Sequence, residues 1–176
     1  GQASEVTGNA QATKLKSSLA ERVDVIVMPV INPRFDSLLP SRNSKRQVPV
    51  IAESQPAEYA ATTVMVDNYK AGYELGFQVG SLVTEKFGGK AELLDLTYHQ
   101  SNTLERSQGF LAGLKEKLPG TRLALSLNAQ ARTETAYQLT RDALSVNPNI
   151  NVIFAINDST AWGAVQACQD LKIDPE

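Results

Sequence analysis

Asn157 and Asp158 stand where an apolar run ends and a helical pattern begins. Residues 152–156 have the continuous apolar character of a buried strand, and small residues at helical spacing follow from Ser159. In an open α/β sheet, ligands bind just outside the carboxyl ends of the strands, where the helices start. The side-chain amide of Asn157 has both donors and an acceptor, so this position predicts hydrogen bonding to a polar ligand. Asp158 is predicted as the N-cap of the next helix, and the alternative is that both residues only form a turn and a cap.

Few other side chains have the spacing that catalysis or metal binding requires. The chain has one histidine, His99, and one cysteine, Cys168, which excludes an internal disulfide and leaves no metal-binding motif. Asp95 and His99 could be drawn as an acid–base pair, but alternate residues of a strand need only share a face. The sequence contains no nucleophile elbow, no phosphate loop and no dinucleotide-binding loop. We therefore predict no enzyme activity, no metal and no cofactor.

The composition predicts a globular protein with a sizeable core. Of 176 residues, 42% are apolar and 20% are charged, and the net charge is −2. No basic block is present, so we expect this chain not to contact nucleic acid.

Short apolar runs alternate with segments of helical period along the whole chain. Strands with continuous apolar character are those buried on both faces of a parallel sheet. Their alternation with helices predicts right-handed βαβ units in doubly wound parallel sheets. The predicted strands are 24–28, 48–52, 63–66, 91–96, 122–127 and 151–156, and the predicted helices are about 8–22, 34–46, 68–87, 103–117, 133–146 and 159–172.

Smaller signals refine this pattern. Asn102 and Glu105 have the spacing of a capping box for the helix at 103. Gly72, Gly76 and Gly80 give the 68–87 helix one face without side chains, which we expect to pack closely on the sheet. A doubly wound sheet normally opens with a strand, whereas this chain opens with a loop and a helix and closes on a loop. We therefore expect an incomplete fragment of a longer protein.

The order of six segments resembles that of the ribose-binding-protein-like family, which includes periplasmic sugar-binding proteins and the sensor domains of lac-repressor-like regulators. The resemblance covers about residues 8–172, and it implies the type I periplasmic-binding-protein fold, in which two α/β lobes close on a small ligand, usually a sugar. It places residues 1–66 in the first lobe and 67–176 in the second. The segments are VDVIVMP, VPVIAESQ, VDNYKAGYELG, GGKAELLDL, ERSQGFLAGL and NPNINVIFAINDSTAWGA.

The resemblance also implies which residues contact the ligand. Arg106, in the run Arg-x-x-Gly-Phe, matches the arginine that reaches the sugar, and its guanidinium offers donors in a fixed fork. Its alternative is a surface arginine paired with Glu105. As a residue outside the core, Arg106 is expected to contribute little to fold stability. Asn157 matches the family's cleft asparagine, and the loops after two strands add the candidate lining residues His99, Gln130 and Arg132.

The sequence departs from the ribose pattern at four positions. Ser54 and Gln55 occupy the place of an Asp-Arg pair and remain candidate ligand residues, while Met28 and Val66 replace polar residues. A site built to bond hydroxyls loses affinity when its partners are lost. We therefore expect a sugar or sugar derivative other than ribose.

Two settings are compatible with the resemblance. A solute-binding component of an ABC transporter or chemosensory system would be periplasmic or extracytoplasmic, and its partners would be a membrane permease or receptor. The effector domain of a lac-repressor-like regulator would be cytoplasmic. Such regulators commonly carry a Gly-His-Arg-Arg-like segment where this chain has residues 87–91, FGGKA. That difference favours the extracytoplasmic binding protein.

Overall fold

The computed structural model describes residues 8–21, 23–30 and 48–174, with side chains from residue 13 onward within these ranges. The helix predicted over 34–46 lies outside the described residues. In chain order the elements are α1 (Gly8–Ala20), β1 (Ile26–Pro29), β2 (Val50–Glu53), β3 (Thr62–Val64), α2 (Asn68–Phe87), β4 (Glu92–Thr97), α3 (Ser101–Lys117), β5 (Arg122–Asn128), α4 (Thr133–Val146), β6 (Val152–Ala155) and α5 (Asp158–Asp170).

The chain divides into two compact units, Gly1–Val66 and Asp67–Glu176. In the first unit, β1, β2 and β3 form a parallel sheet in that order. Met28, which replaces a polar residue of the ribose pattern, is buried beside Leu15, Ile26 and Val50. The apolar thioether side chain therefore contributes to the core of this unit.

The second unit has a parallel sheet in the order β5-β4-β6. The central strand β4 is buried on both faces: Leu93 lies in one apolar cluster, and Leu94 and Leu96 lie in another. This explains why β4 is apolar without alternation, as the sequence pattern predicted for a parallel strand. Because all strands are parallel, their carboxyl ends and the starts of α3, α4 and α5 share one edge of the sheet.

Glycines bring α2 and α3 into backbone contact. A Cβ atom added at Gly72 would lie 2.1 Å from the carbonyl oxygen of Arg106, and one at Gly109 would lie 2.0 Å from that of Tyr69. Gly76 and Gly113 make equivalent contacts one turn further along. The glycine face of α2 therefore packs on α3 and not on the sheet, which corrects the sequence prediction.

The helix bounds follow the sequence prediction closely, with one informative difference. Both α2 and α4 have the predicted limits. α3 begins at Ser101 with Gln100 as its N-cap, and no side chain caps it. The capping box predicted for Asn102 and Glu105 is therefore wrong, because the helix starts two residues earlier than the pattern indicated. No described helix has the length and apolar character needed to cross a membrane.

Candidate functional site

The carboxyl edge of the second unit's sheet collects most of the predicted ligand residues. His99 lies in the loop from β4 to α3, Gln130 and Arg132 lie between β5 and α4, and Asn157 joins β6 to α5. Parallel strands place these loops at one edge, which is the usual location of ligand sites in open α/β sheets. The fold therefore brings side chains from three separate segments to one edge.

Arg106 reaches this edge from the second turn of α3. Its Nη1 donates to the carbonyl oxygen of Ile156 at 2.7 Å, and its Nη2 donates to Oδ1 of Asn68 at 2.6 Å. Both acceptors are neutral, and no carboxylate among the described residues forms an ion pair with the guanidinium. Arg106 therefore does not form the ion pair with Glu105 that was the alternative in the sequence. A guanidinium has five N–H donors, so the hydrogen bonds to Ile156 and Asn68 do not use all of its donors.

Asn68 is a site residue that the sequence reasoning missed. It is the first residue of α2, only 3% exposed, and its side-chain oxygen holds Arg106 from 38 positions away in the chain. In the sequence, Asn68 could have been noticed as a polar residue directly after the helix start. Asp67 is the N-cap of α2, and its carboxylate accepts a hydrogen bond from the backbone N–H of Lys70. A buried amide at the start of a helix requires hydrogen-bond partners, and Arg106 is one of them.

Asn157, and not Asp158, is the N-cap of α5. Its Oδ1 accepts hydrogen bonds from the backbone N–H and the hydroxyl of Thr160, and Thr160 Oγ1 in turn accepts from the backbone of Asn157. This capping box occupies the oxygen of the Asn157 amide. Its Nδ2 has no partner among the described residues, and the side chain is exposed. Asn157 can therefore cap the helix and donate to a ligand at the same time.

Asp95 is a buried carboxylate behind this edge. Ser107 of α3 donates to its Oδ1 at 2.9 Å, and Ser126 of β5 donates to its Oδ2 at 2.8 Å. Burial raises the pKa of Asp95, and the hydrogen bonds from Ser126 and Ser107 partly offset that rise. The carboxylate thus ties α3 and β5 to β4.

His99 does not form the acid–base pair that could be drawn with Asp95. Its ring is exposed and packs on that of Tyr98, with 4.0 Å between the ring centroids. Both oxygens of Asp95 instead accept hydrogen bonds from serines. His99 therefore lies exposed at the carboxyl edge of the second unit's sheet, where it can line a ligand site.

The loop after β5 has an unusual backbone. Gln130 and Ala131 both have positive φ angles, 54° and 53°, in a region that side chains other than glycine adopt at a cost. Oδ1 of Asn128 accepts a hydrogen bond from the backbone of Gln130, which supports the turn. The turn leads into Arg132, the exposed N-cap of α4. Strained backbone of this kind is most frequent at ligand sites.

Ser54 and Gln55 follow β2 in the first unit. Ser54 has a φ of 69°, and its hydroxyl donates to Glu53 Oε1 at 2.6 Å. The backbone of Gln55 donates to the carbonyl of Glu53, which closes a tight turn around Ser54. Both residues thus lie at the carboxyl end of a parallel strand, the same type of position that His99 and Asn157 occupy in the second unit.

The described side chains at these positions are able to bind the oxygen atoms of a ligand. They offer guanidinium and amide donors, and none of the described hydroxyls pairs with the one histidine. No group of three or more His, Cys, Asp or Glu residues within the described ranges could hold a metal ion. Such a donor set suits a ligand that presents several oxygen acceptors.

Comparisons with known proteins place this geometry in context. Residues 2–176 match the family model described as "Periplasmic binding protein domain". A search of the curated proteins finds no match.

Three solved structures illustrate the likeness of fold. An ABC transporter periplasmic solute binding protein from Actinobacillus succinogenes 130z with bound D-allose has a TM-score of 0.80 at 27% identity, covering 94% of this chain and 60% of that chain. A galactofuranose binding protein has a TM-score of 0.81 at 20% identity, covering 97% and 60%. The periplasmic binding component of the arabinose ABC transporter from Shewanella sp. ANA-3, bound to α- and β-L-arabinofuranose, has a TM-score of 0.78 at 19% identity, covering 96% and 57%. The chain thus spans about 60% of the length of the first of these proteins.

Proposed function

The chain belongs to the periplasmic binding protein family, and we propose that within the intact protein it binds a sugar or sugar derivative and releases it unchanged. The observation that carries the proposal is Arg106, held at the carboxyl edge of the sheet by two neutral acceptors. A guanidinium fixed in this way presents its remaining N–H groups in a defined direction, which suits adjacent hydroxyl oxygens. The sugars named with the similar structures support the same ligand class.

Asn157 is proposed as the second ligand contact, through its Nδ2. His99 and Arg132 are proposed to line the same edge from the neighbouring loops. Ser54 and Gln55 are proposed ligand contacts of the first unit, on the strength of the sequence resemblance and of their position after β2. We propose no covalent step, because these groups bind and orient oxygen atoms without an activated nucleophile among them.

We further propose that the intact protein is the extracytoplasmic solute-binding component of an ABC transporter or chemosensory system, with a membrane permease or receptor as its partner. The alternative is the effector domain of a lac-repressor-like regulator. The gene sequence upstream of residue 1 tests the choice: a signal peptide there would support the binding protein, and a DNA-binding helix-turn-helix would support the regulator.

A ligand screen on the intact protein tests the binding proposal. Thermal unfolding is followed with D-allose, D-galactose, L-arabinose and D-ribose, and with L-leucine as a ligand of another class. A sugar at 100 times its Kd should add about 2.7 kcal/mol of stability. Arg106→Gln should reduce this gain to about 0.3–1.4 kcal/mol, as a 10- to 150-fold higher Kd implies, whereas Arg141→Gln, on the exposed surface of α4, should retain it. Recovery of a chemically altered sugar, or stabilisation by leucine alone, would contradict the proposal.

A further inference from the structure

Asp95 is a buried carboxylate in the middle of an otherwise apolar strand. It is only 7% exposed, and its neighbours Leu94 and Leu96 in β4 are fully buried. Burial raises the pKa of Asp95, because removing a charge from water is costly. No lysine or arginine of the described ranges forms an ion pair with it that would offset this cost. In some proteins a buried charge of this kind is retained because it fixes one arrangement of its neighbours.

The hydrogen-bond donors of Asp95 are serine hydroxyls on two different elements. Ser107 of α3 donates to Oδ1 at 2.9 Å, and Ser126 of β5 donates to Oδ2 at 2.8 Å. Hydrogen bonds to a carboxylate are shorter and stronger than those between neutral groups. The Ser107 hydroxyl also lies 3.0 Å from Oγ1 of Thr97, so it can accept from the Thr97 hydroxyl while it donates to Asp95. Two residues of β4 therefore hold Ser107.

Ser107 directly follows Arg106 on α3. The guanidinium of Arg106 is held at its far end by the carbonyl of Ile156 and by Oδ1 of Asn68. The Asp95–Ser107 hydrogen bond holds the near end, because it fixes how the second turn of α3 is rotated relative to β4. Consecutive residues of a helix are about 100° apart around its axis, so the side of the helix that binds Asp95 sets the direction in which Arg106 leaves it.

We propose that Asp95 is a positioning residue for ligand binding, which acts through Ser107 to hold the turn of α3 from which Arg106 reaches the ligand. Side chains of a binding site must be held within about 0.5 Å of their productive position, and a charged hydrogen bond behind the site serves this purpose. The inference rests on the proposed function and adds to it the group that fixes the arginine. It also gives a reason for a buried carboxylate at a position where an apolar side chain would avoid the cost of burial.

Ser107→Ala and Ser126→Ala form a matched pair, because each removes one hydrogen bond to the same carboxylate. Each variant leaves Asp95 with its other serine donor and should remain folded, which urea unfolding checks. The probe is whichever of D-allose, D-galactose and L-arabinose binds the unmodified intact protein most tightly, and its Kd is measured by calorimetry. We expect Ser107→Ala to raise the Kd about 3- to 10-fold, the range for one hydrogen bond. Ser126→Ala should leave the Kd unchanged, since Ser126 lies on β5 and does not connect Asp95 to Arg106.

A double-mutant cycle with Arg106 separates positioning from a general effect on the fold. If Ser107 acts through Arg106, Ser107→Ala should not raise the Kd further in a protein that already carries Arg106→Gln. If Ser107 instead affects binding independently of Arg106, the two increases in Kd should multiply.

Each outcome decides a different point. An unchanged Kd in Ser107→Ala, or an equal increase in Ser107→Ala and Ser126→Ala, would overturn the positioning role while the proposed function stands. Increases that multiply in the double mutant would overturn it as well. If none of the three sugars binds the unmodified protein, or if Arg106→Gln leaves the Kd unchanged, the proposed function fails and this inference fails with it.

Discussion

Arg106 Nη2 lies 2.6 Å from Asn68 Oδ1, and this hydrogen bond joins the second turn of α3 to the first residue of α2. The bond lies at the end of the two helices where their glycine-lined backbones begin to touch. The candidate ligand arginine is therefore held by the same helix pair that covers one face of the sheet.

Arg106→Ala should weaken both ligand binding and the fold. Loss of charged hydrogen bonds should raise the Kd of the best-binding sugar about 10- to 150-fold, or about 1.5–3 kcal/mol. The substitution also removes the two hydrogen bonds that Arg106 donates to Asn68 Oδ1 and to the carbonyl of Ile156, so the free energy of unfolding should fall by about 1–3 kcal/mol. The two hydrogen bonds are the reason why this prediction differs from the expectation from sequence that Arg106 contributes little to stability. Calorimetry and urea unfolding measure the two effects, and an unchanged Kd would place the ligand elsewhere.

Two substitutions at Asn157 should separate its capping role from its binding role. Asn157→Asp keeps an oxygen for Thr160 and removes the Nδ2 donor, so sugar affinity should fall while stability is kept. Asn157→Ala removes both, and loss of the cap should cost a further 0.5–2 kcal/mol or so in the free energy of unfolding. The comparison uses thermal unfolding without sugar and calorimetry with it. Equal sugar affinity in Asn157→Asp and the unmodified protein would exclude the donor role.

Gly76→Ala should destabilise the second unit strongly. The added Cβ would lie 2.1 Å from the carbonyl oxygen of Phe110, so the backbones of α2 and α3 must separate. Overpacking of this kind typically costs about 1–3 kcal/mol, and here the obstacle is backbone. Gly120→Ala is the control, because nothing lies within 4 Å of its added Cβ. Urea midpoints should differ clearly between the two variants, and similar midpoints would mean that the helices adjust without cost.

Asp95→Asn should change how stability depends on pH. Burial raises the pKa of Asp95 in the folded state above the ordinary value of an aspartate. An acid with a raised folded pKa favours the folded state at pH values below its unfolded pKa, and this contribution is lost as the pH rises through the folded pKa. The stability of Asp95→Asn relative to the unmodified protein should therefore increase as the pH rises from about 4 toward neutrality. Urea unfolding across this range measures the difference, and a difference that is constant or falls with pH would show that the raised pKa is absent.

The resemblance and the periodicity together anticipated most of the fold. The parallel α/β fold of periplasmic binding proteins is confirmed, and α2 and α4 have the predicted limits. These features depend on local signals, namely continuous apolar strands and helical spacing. The start of α3 was misplaced because Asn102 and Glu105 imitate a capping box, although the helix begins before them.

By itself, the sequence determined the order of strands and helices within the described residues and the position of Asn157 after β6, because both depend on residues that are close together in the chain. The tertiary structure decided which groups meet. Arg106 contacts Ile156 and Asn68, which are 50 and 38 positions away, and Asp95 contacts Ser126, 31 positions away. It also turned the glycines of α2 toward α3, and it left Oδ1 of Asn102 buried without a donor. Such contacts join segments that are far apart in the chain. A local pattern of residues does not show how those segments pack against one another.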